Sequence, residues 1–121
     1  MPLAQNVIQG GISGGSARAI VGGAQNNAVS AAGTTQGTAT AISADVVNVS
    51  TVASGAGVIL PLVAEGSMLV YNSGANPLKV YPPLLGAINQ LGTNNPHTLG
   101  QYTSCIYTWI SSTQILANMS A

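Results

Sequence analysis

Apolar and polar side chains alternate in short runs through most of the chain, a pattern typical of half-buried β-strands. In residues 45–53, Val47, Val49 and Thr51 fall on one face of the predicted strand, and the residues between them fall on the other. In the apolar run 58–63, Pro61 favours an edge strand or a bulge. Further strands are predicted at 38–42, 68–72, 78–81, 87–89, 102–110 and 113–118.

Turn-forming residues separate these runs at regular intervals. Ser54 to Gly57, Glu65 to Ser67 and Ser73 to Pro77 read as turns, and Gly92 to His97 reads as a polar loop. Ser111-Ser112 predicts a hairpin between the last two strands. Short strands at this spacing, without long amphipathic helices, predict an all-β fold, namely a small β-sandwich or jelly-roll-like barrel of residues 34–121.

The first 33 residues have a different character. They are rich in Gly and Ala. The Ala-rich piece from Ala17 to Ala32 could form a partial helix, but Gly22 and Gly23 interrupt it, so we expect irregular structure there. Residues 1–33 are therefore interpreted as an extended arm for oligomerisation or partner binding, because scattered apolar side chains on such an arm suggest ordering against a partner. The candidate contact residues are Leu3, Val7, Ile8, Ile12, Arg18, Ile20 and Val21.

Charge is nearly absent, which limits the possible chemistry. The charged residues are Arg18, Asp45, Glu65 and Lys79. Two acids on separate predicted turns are a poor source of paired-carboxylate catalysis, and His97 and Cys105 are single residues of their kinds. Structural zinc needs four ligands, and phosphate binding needs several basic residues. We therefore predict no enzyme, no cofactor, no metal site and no nucleic-acid partner.

Membrane insertion and secretion are also not indicated. The longest apolar run, residues 56–64, is too short to span a bilayer, and the first residues lack a basic signal-peptide region. A surface of amides and hydroxyls with zero net charge resists association poorly. Since one cysteine cannot form an internal disulfide, we expect the small β-domain to be stabilised as a homo-oligomer.

The aromatic residues allow two interpretations. They could pack in the core and at subunit interfaces with their polar tips wetted, or they could form a platform for sugar binding. Packing is the favoured interpretation. The residues concerned are Tyr71, Tyr81, Tyr102, Tyr107 and Trp109.

Residues 69–89 carry a recognisable pattern. One predicted strand ends in Asn-Ser-Gly-Ala-Asn, the next ends in Val-Tyr-Pro-Pro, and Gly-Ala-Ile-Asn follows. Together with the late Trp109, this pattern resembles small virion proteins of tailed bacteriophages, in particular head decoration (cement) proteins. The residues expected to specify the turns are Asn72, Gly74, Asn76, Pro77, Pro82 and Pro83.

The resemblance implies a structural virion protein that is made in the host cytoplasm and bound to the outer capsid surface. It implies a homotrimer that bridges major capsid proteins and grips them with its N-terminal arm. The alternative is a tail- or fibre-associated receptor-binding module in which the exposed aromatic side chains contact host glycan.

Overall fold

The computed structural model describes residues 25–120, which contain ten β-strands and no helix. The strands are β1 Gln25–Ala31, β2 Thr40–Ala41, β3 Val46–Val52, β4 Gly57–Ile59, β5 Gly66–Asn72, β6 Leu78–Tyr81, β7 Ala87–Ile88, β8 His97–Leu99, β9 Ser104–Trp109 and β10 Gln114–Met119. The predicted all-β class is confirmed, and the hairpin at Ser111-Ser112 joins the antiparallel pair β9 and β10.

The strands form two sheets. A six-stranded sheet has the order β1-β3-β5-β9-β10-β7, and a four-stranded sheet has the order β2-β4-β6-β8. From β1 to β6 the chain alternates between the sheets, and each new strand pairs in parallel with the strand two before it. We call each set of two consecutive strands, one in each sheet, a coil. The three coils are β1–β2, β3–β4 and β5–β6. Partnered residues in successive coils lie 18 to 23 positions apart.

This winding differs from a jelly roll. Five of the eight strand pairings are parallel, whereas jelly rolls and Greek keys are built from antiparallel pairs. The coils stack like the repeats of a solenoid, in which each unit contacts its neighbours. The last four strands end the stack, because β8 and β9 pair antiparallel with β6 and β5.

One core lies between the two sheets. Its fully buried members are mainly branched aliphatic residues, for example Val49 and Val70 from the six-stranded sheet and Val58 and Val80 from the four-stranded sheet. β-Branched side chains pack well on a pleated surface, which is why these valine-rich runs form strands.

The prediction of irregular structure up to Ala32 is wrong for the described part of that stretch. Gln25–Ala31 forms β1, an edge strand of the six-stranded sheet. Its Val29 and Ala31 are buried, and β3 supplies its pairing partner. Local sequence missed this strand because Asn and Ala dominate it, and long-range pairing overrides their weak strand preference. The two-sheet structure therefore begins before the predicted boundary at residue 34.

Three details of the predicted strands also need correction. Thr51 is exposed and Val52 is buried, because the pairing with β1 shifts register between Val49 and Thr51 and reverses the alternation. β4 is an interior strand that ends at Ile59, so Pro61 lies beyond it. The short strand β8, which begins at the end of the predicted polar loop, was not predicted.

Asn72 joins several of these elements. Its side chain is completely buried, and its Nδ2 donates to the backbone oxygens of Leu99, at 3.0 Å, and Asn76, at 2.9 Å. Its Oδ1 accepts from the backbone N–H of Gly74 at 2.9 Å. Because Asn72 ends β5 and Leu99 ends β8, this one amide connects the two sheets.

Replacing Asn72 should therefore be costly. In Asn72→Ala, three backbone groups lose a partner, two of them in fully buried hydrogen bonds, and each buried unsatisfied group costs about 1–3 kcal/mol. We expect a loss of about 3 kcal/mol or more in the free energy of unfolding by urea denaturation. The matched control is Asn76→Ala, since Asn76 is only half-buried and its side chain donates one hydrogen bond, to Val52. Equal losses in the two variants would contradict this role for Asn72.

Candidate functional site

The outward side of the six-stranded sheet carries a continuous row of apolar side chains. Val46 pairs with Leu69, and Leu69 pairs with Ile106, so the three residues lie side by side on β3, β5 and β9. Val46 and Ile106 are exposed, and Leu69 is half-buried. The residues Asn48, Ser67, Tyr71, Thr108 and Leu116 flank this row. We call these eight residues the outer face.

The outer face is uncharged. None of the six strands of its sheet contains Asp, Glu, Lys, Arg or His. Of the described charged residues, Asp45 and Glu65 lie just before β3 and β5, and Lys79 lies on the other sheet. Its polar groups also bond to one another, since the hydroxyls of Ser67 and Thr108 lie 3.2 Å apart. Such a face suits contact with another uncharged protein surface.

A groove of about 610 Å³ adjoins the outer face at the last hairpin. It is lined by Asn89, Gln90, Ile110, Gln114 and Leu116. Two of its amides already have structural partners, because Gln114 Nε2 donates to the Asn89 backbone oxygen and Asn89 Oδ1 accepts from the Ala117 N–H. These bonds attach the end of β7 to β10.

Two leucines form a second exposed apolar feature. Leu84 and Leu85 lie on the loop after β6 and are about two-thirds exposed. The backbone of Leu85 is left-handed, with φ of 69°, which is costly for a non-glycine residue. Its N–H donates to Asn94 Oδ1 at 2.6 Å, and the same oxygen accepts from Gln36 Nε2 at 3.1 Å. These bonds hold the leucine pair outward.

The aromatic residues do not form one platform. Tyr81, Tyr107 and Trp109 are buried, so only Tyr71 and Tyr102 are exposed. Packing was the favoured interpretation, and it holds for the three buried rings. The expectation of wetted polar tips fails at Trp109, whose buried Nε1 has no hydrogen-bond partner within residues 25–120.

His97 and Cys105 are both held in structural settings. His97 Nδ1 lies 2.8 Å from the hydroxyl of Tyr107, and their rings meet edge to face. Burial lowers the pKa of His97 and raises the pKa of Tyr107 and of the Cys105 thiol. Both His97 and Cys105 are therefore neutral at pH 7, and a thiol without thiolate character is a poor nucleophile.

The predicted turn residues lie around the sheet junction. Gly74 approaches β3 so closely that an added Cβ would lie 2.6 Å from Val52 Cγ2. Pro77 comes directly before β6. Pro82 comes directly after it, and its oxygen accepts from Gln36 Nε2 at 2.9 Å. Pro83 is buried, and its oxygen accepts from the Gly86 N–H. The described contacts of these residues stabilise the turns around β6.

The proposed contact residues of the arm, Leu3 to Val21, lie outside the described residues. Within residues 25–120, no three His, Cys, Asp or Glu side chains come together as a metal site would require. The same residues include no helix that is long and apolar enough to cross a membrane.

Comparison with known proteins identified no match among protein-family models, curated proteins or solved structures. Functional inference therefore depends on the outer face, which sequence reasoning did not include among the contact candidates. Its signal was present in β9, where Cys105, Tyr107 and Trp109 alternate with Ile106 and Thr108.

The pKa of His97 predicts a pH-dependent stability. Because folding lowers this pKa below its ordinary value of 6.5, the unfolded chain binds the proton more readily. The stability is fully present above pH 6.5 and falls as the pH drops below it. We expect urea denaturation between pH 7.5 and pH 5 to show this loss. In His97→Asn the loss should disappear, since His97 is the only histidine. The same pH dependence in His97→Asn would contradict the assignment.

Proposed function

We propose that the chain is a structural virion protein that decorates and stabilises a bacteriophage capsid. In this proposal it acts as a cement protein, bridges neighbouring major capsid proteins, and binds as a homo-oligomer, a trimer by its resemblance to decoration proteins. It is made in the host cytoplasm and occupies the outer capsid surface. It has no catalytic role, cofactor, nucleic-acid partner or membrane partner.

The outer face is the observation that carries this proposal. A protein whose task is to hold two other proteins together needs a broad contact surface more than a pocket. The row Val46, Leu69 and Ile106 provides a rigid strip of apolar side chains across three paired strands. Exposed contiguous apolar surface of this kind marks protein–protein contacts. The resemblance of residues 69–89 to decoration proteins is the second support.

The remaining contacts would come from loops and from the N-terminal residues. Leu84 and Leu85 are exposed, and the left-handed backbone of Leu85 costs energy, which is a feature often kept for function. In the proposal, the candidate residues between Leu3 and Val21 add apolar contacts to the capsid. A fully buried side chain of this type contributes about 1.5–3 kcal/mol.

A charged residue on the outer face should weaken capsid binding without unfolding the protein. Ile106 is 45% exposed, so Ile106→Asp should leave the thermal midpoint nearly unchanged. We expect its affinity for undecorated phage heads to fall at least about tenfold, or about 1.4 kcal/mol. The matched control is Thr98→Asp, because Thr98 is exposed on the opposite sheet. Cosedimentation with undecorated phage heads measures the affinity of both variants.

The same assay tests the physical basis of binding. Contacts without ion pairs should be almost independent of salt, because screening acts on charges. Wild-type occupancy should therefore be similar at low and moderate salt. Binding that vanishes in moderate salt, or equal affinities for Ile106→Asp and wild type, would contradict attachment through the outer face.

Host-glycan binding by a tail or fibre module is the second candidate function. The observation in its favour is that Tyr71 and Tyr102 are exposed near one end of the six-stranded sheet, where the Tyr102 N–H donates to the Asn72 oxygen. A glycan array discriminates between the two functions. We expect no saturable binding, whereas binding that is abolished by Tyr102→Ala but kept in Thr98→Ala would favour the glycan function.

A further inference from the structure

We propose that the end of β10 is a docking edge for an extended, uncharged segment of another protein chain. The segment would lie parallel to β10 beside residues 117–119 and would continue the six-stranded sheet beyond the short strand β7. The inference goes beyond the proposed function and does not depend on it, because it concerns the pairing of one strand and is tested on the isolated protein.

β7 covers only the beginning of β10. It pairs with Gln114 and Ile115, whereas β10 continues to Met119. Asn89, which directly follows β7, has a left-handed backbone with φ of 51°, so the chain leaves the sheet there. Within residues 25–120, no strand therefore lies beside residues 116–119 on the side of β10 that faces away from β9.

The register with β9 fixes which backbone groups of β10 point to this open side. Just beyond β10, the Ser120 N–H donates to the Ser104 oxygen at 2.8 Å. Hydrogen-bonded and non-hydrogen-bonded positions alternate in an antiparallel pair. Positions 116 and 118 therefore also bond to β9, and the backbone groups of Ala117 and Met119 point to the open side.

The ladder along the open side stops before the end of β10. The Asn89 N–H donates to the Ile115 oxygen at 2.8 Å, and the Asn89 Oδ1 accepts from the Ala117 N–H at 2.9 Å. At the next step, the Ala117 oxygen and the Met119 N–H have no partner within the described strands. One residue of a parallel strand would make both bonds, and backbone bonds of this kind give β-strand addition its affinity.

Apolar side chains lie on both sides of the sheet at this edge. Leu116 pairs with Thr108 on the outer face and is 45% exposed, and Met119 pairs with the buried Cys105 on the inner side and is 44% exposed. The groove of about 610 Å³ is lined in part by Leu116, so it lies along the outward side of the same strand. An added segment would bury apolar surface on both sides, which favours docking.

The chemistry of the edge selects an uncharged segment. β7, β9 and β10 contain no Asp, Glu, Lys, Arg or His, and neither does the lining of the groove. A charged side chain buried there would have no ion-pair partner. The described edges β1, β2 and β8 of a second copy fit poorly, because β1 is irregular in its pairing with β3, and β2 and β8 have only two and three residues.

Titration with a synthetic peptide tests the edge directly. The probe is acetyl-Thr-Val-Thr-Val-Thr-Val-amide, which is uncharged and favours extended structure. In the isolated full-length protein, we expect the Met119 N–H to exchange rapidly with solvent before the peptide is added. Saturating peptide should slow this exchange at least about tenfold and shift the amide NMR signals of residues 116–119. The same peptide with every backbone nitrogen methylated is the control and should do neither, because it has no backbone donors.

A proline substitution isolates the backbone donor. Met119→Pro removes the Met119 N–H but no bond to β9, so the thermal midpoint should be nearly unchanged. We expect its affinity for the peptide to fall at least about tenfold, because a peptide oxygen is left without its donor. Met119→Val is the matched control. It keeps the N–H and an apolar side chain, so it should bind the peptide like wild type.

Three results would overturn the proposal. A Met119 N–H that is already protected in the isolated protein would show that the edge is covered by the chain itself or by a second copy. Absence of saturable binding would show that the edge takes no such segment. Equal affinities of Met119→Pro and wild type would show that the peptide binds elsewhere. If Met119→Pro does not fold, the exchange measurement on the wild-type protein decides.

Discussion

The buried side-chain amide of Asn72 is the interaction around which the two sheets are arranged. It lies where the chain leaves the six-stranded sheet, and its Nδ2 reaches Leu99 at the end of β8 in the other sheet. The backbone of Asn72 also bonds to Thr103 and Tyr102, just before β9. Asn72 thus hydrogen-bonds to three segments of the chain, at Gly74 to Asn76, at Leu99 and at Tyr102 to Thr103. A buried amide stabilises a fold when both its oxygen and its nitrogen are hydrogen-bonded, as they are here.

The uncharged surface is consistent with a fold that is stabilised by neutral hydrogen bonds and not by ion pairs. Stability comes from branched aliphatic packing and from amide and hydroxyl bonds such as Ser73 to Asn48 and Asn76 to Val52. Ion pairs have almost no part in the sheets, since Lys79 is the only Asp, Glu, Lys or Arg in the ten described strands. A six-stranded sheet without charge can present Leu69 and Ile106 to a partner without desolvating ionised groups, which is a costly step in forming an interface.

The local pattern predicted the strands that alternate strongly, such as β3, β5 and β9, and the hairpin before β10. It did not predict β1, whose Asn27 and Ala28 have little strand preference, or β8, which is stabilised by pairing with β6. The parallel winding was also missed, because pairing between residues about 20 positions apart leaves no mark on local alternation. The alternation in β9 could have predicted that Ile106 and Thr108 point outward. Which residues of β3 and β5 lie beside them depends on the register between strands, which only the structure shows.

The coil arrangement has a consequence for how such a chain can change in length. Each coil contacts the next mainly through parallel pairing, and β7 to β10 complete the stack at one end. Insertion or loss of one whole coil would therefore extend or shorten the molecule along a single axis and leave the terminating strands intact. A change of only a few residues would instead move valines such as Val47 and Val70 out of the core. Viable length variants should thus differ by multiples of about 20 residues, which is at the short end of the range of repeat lengths in solenoid proteins.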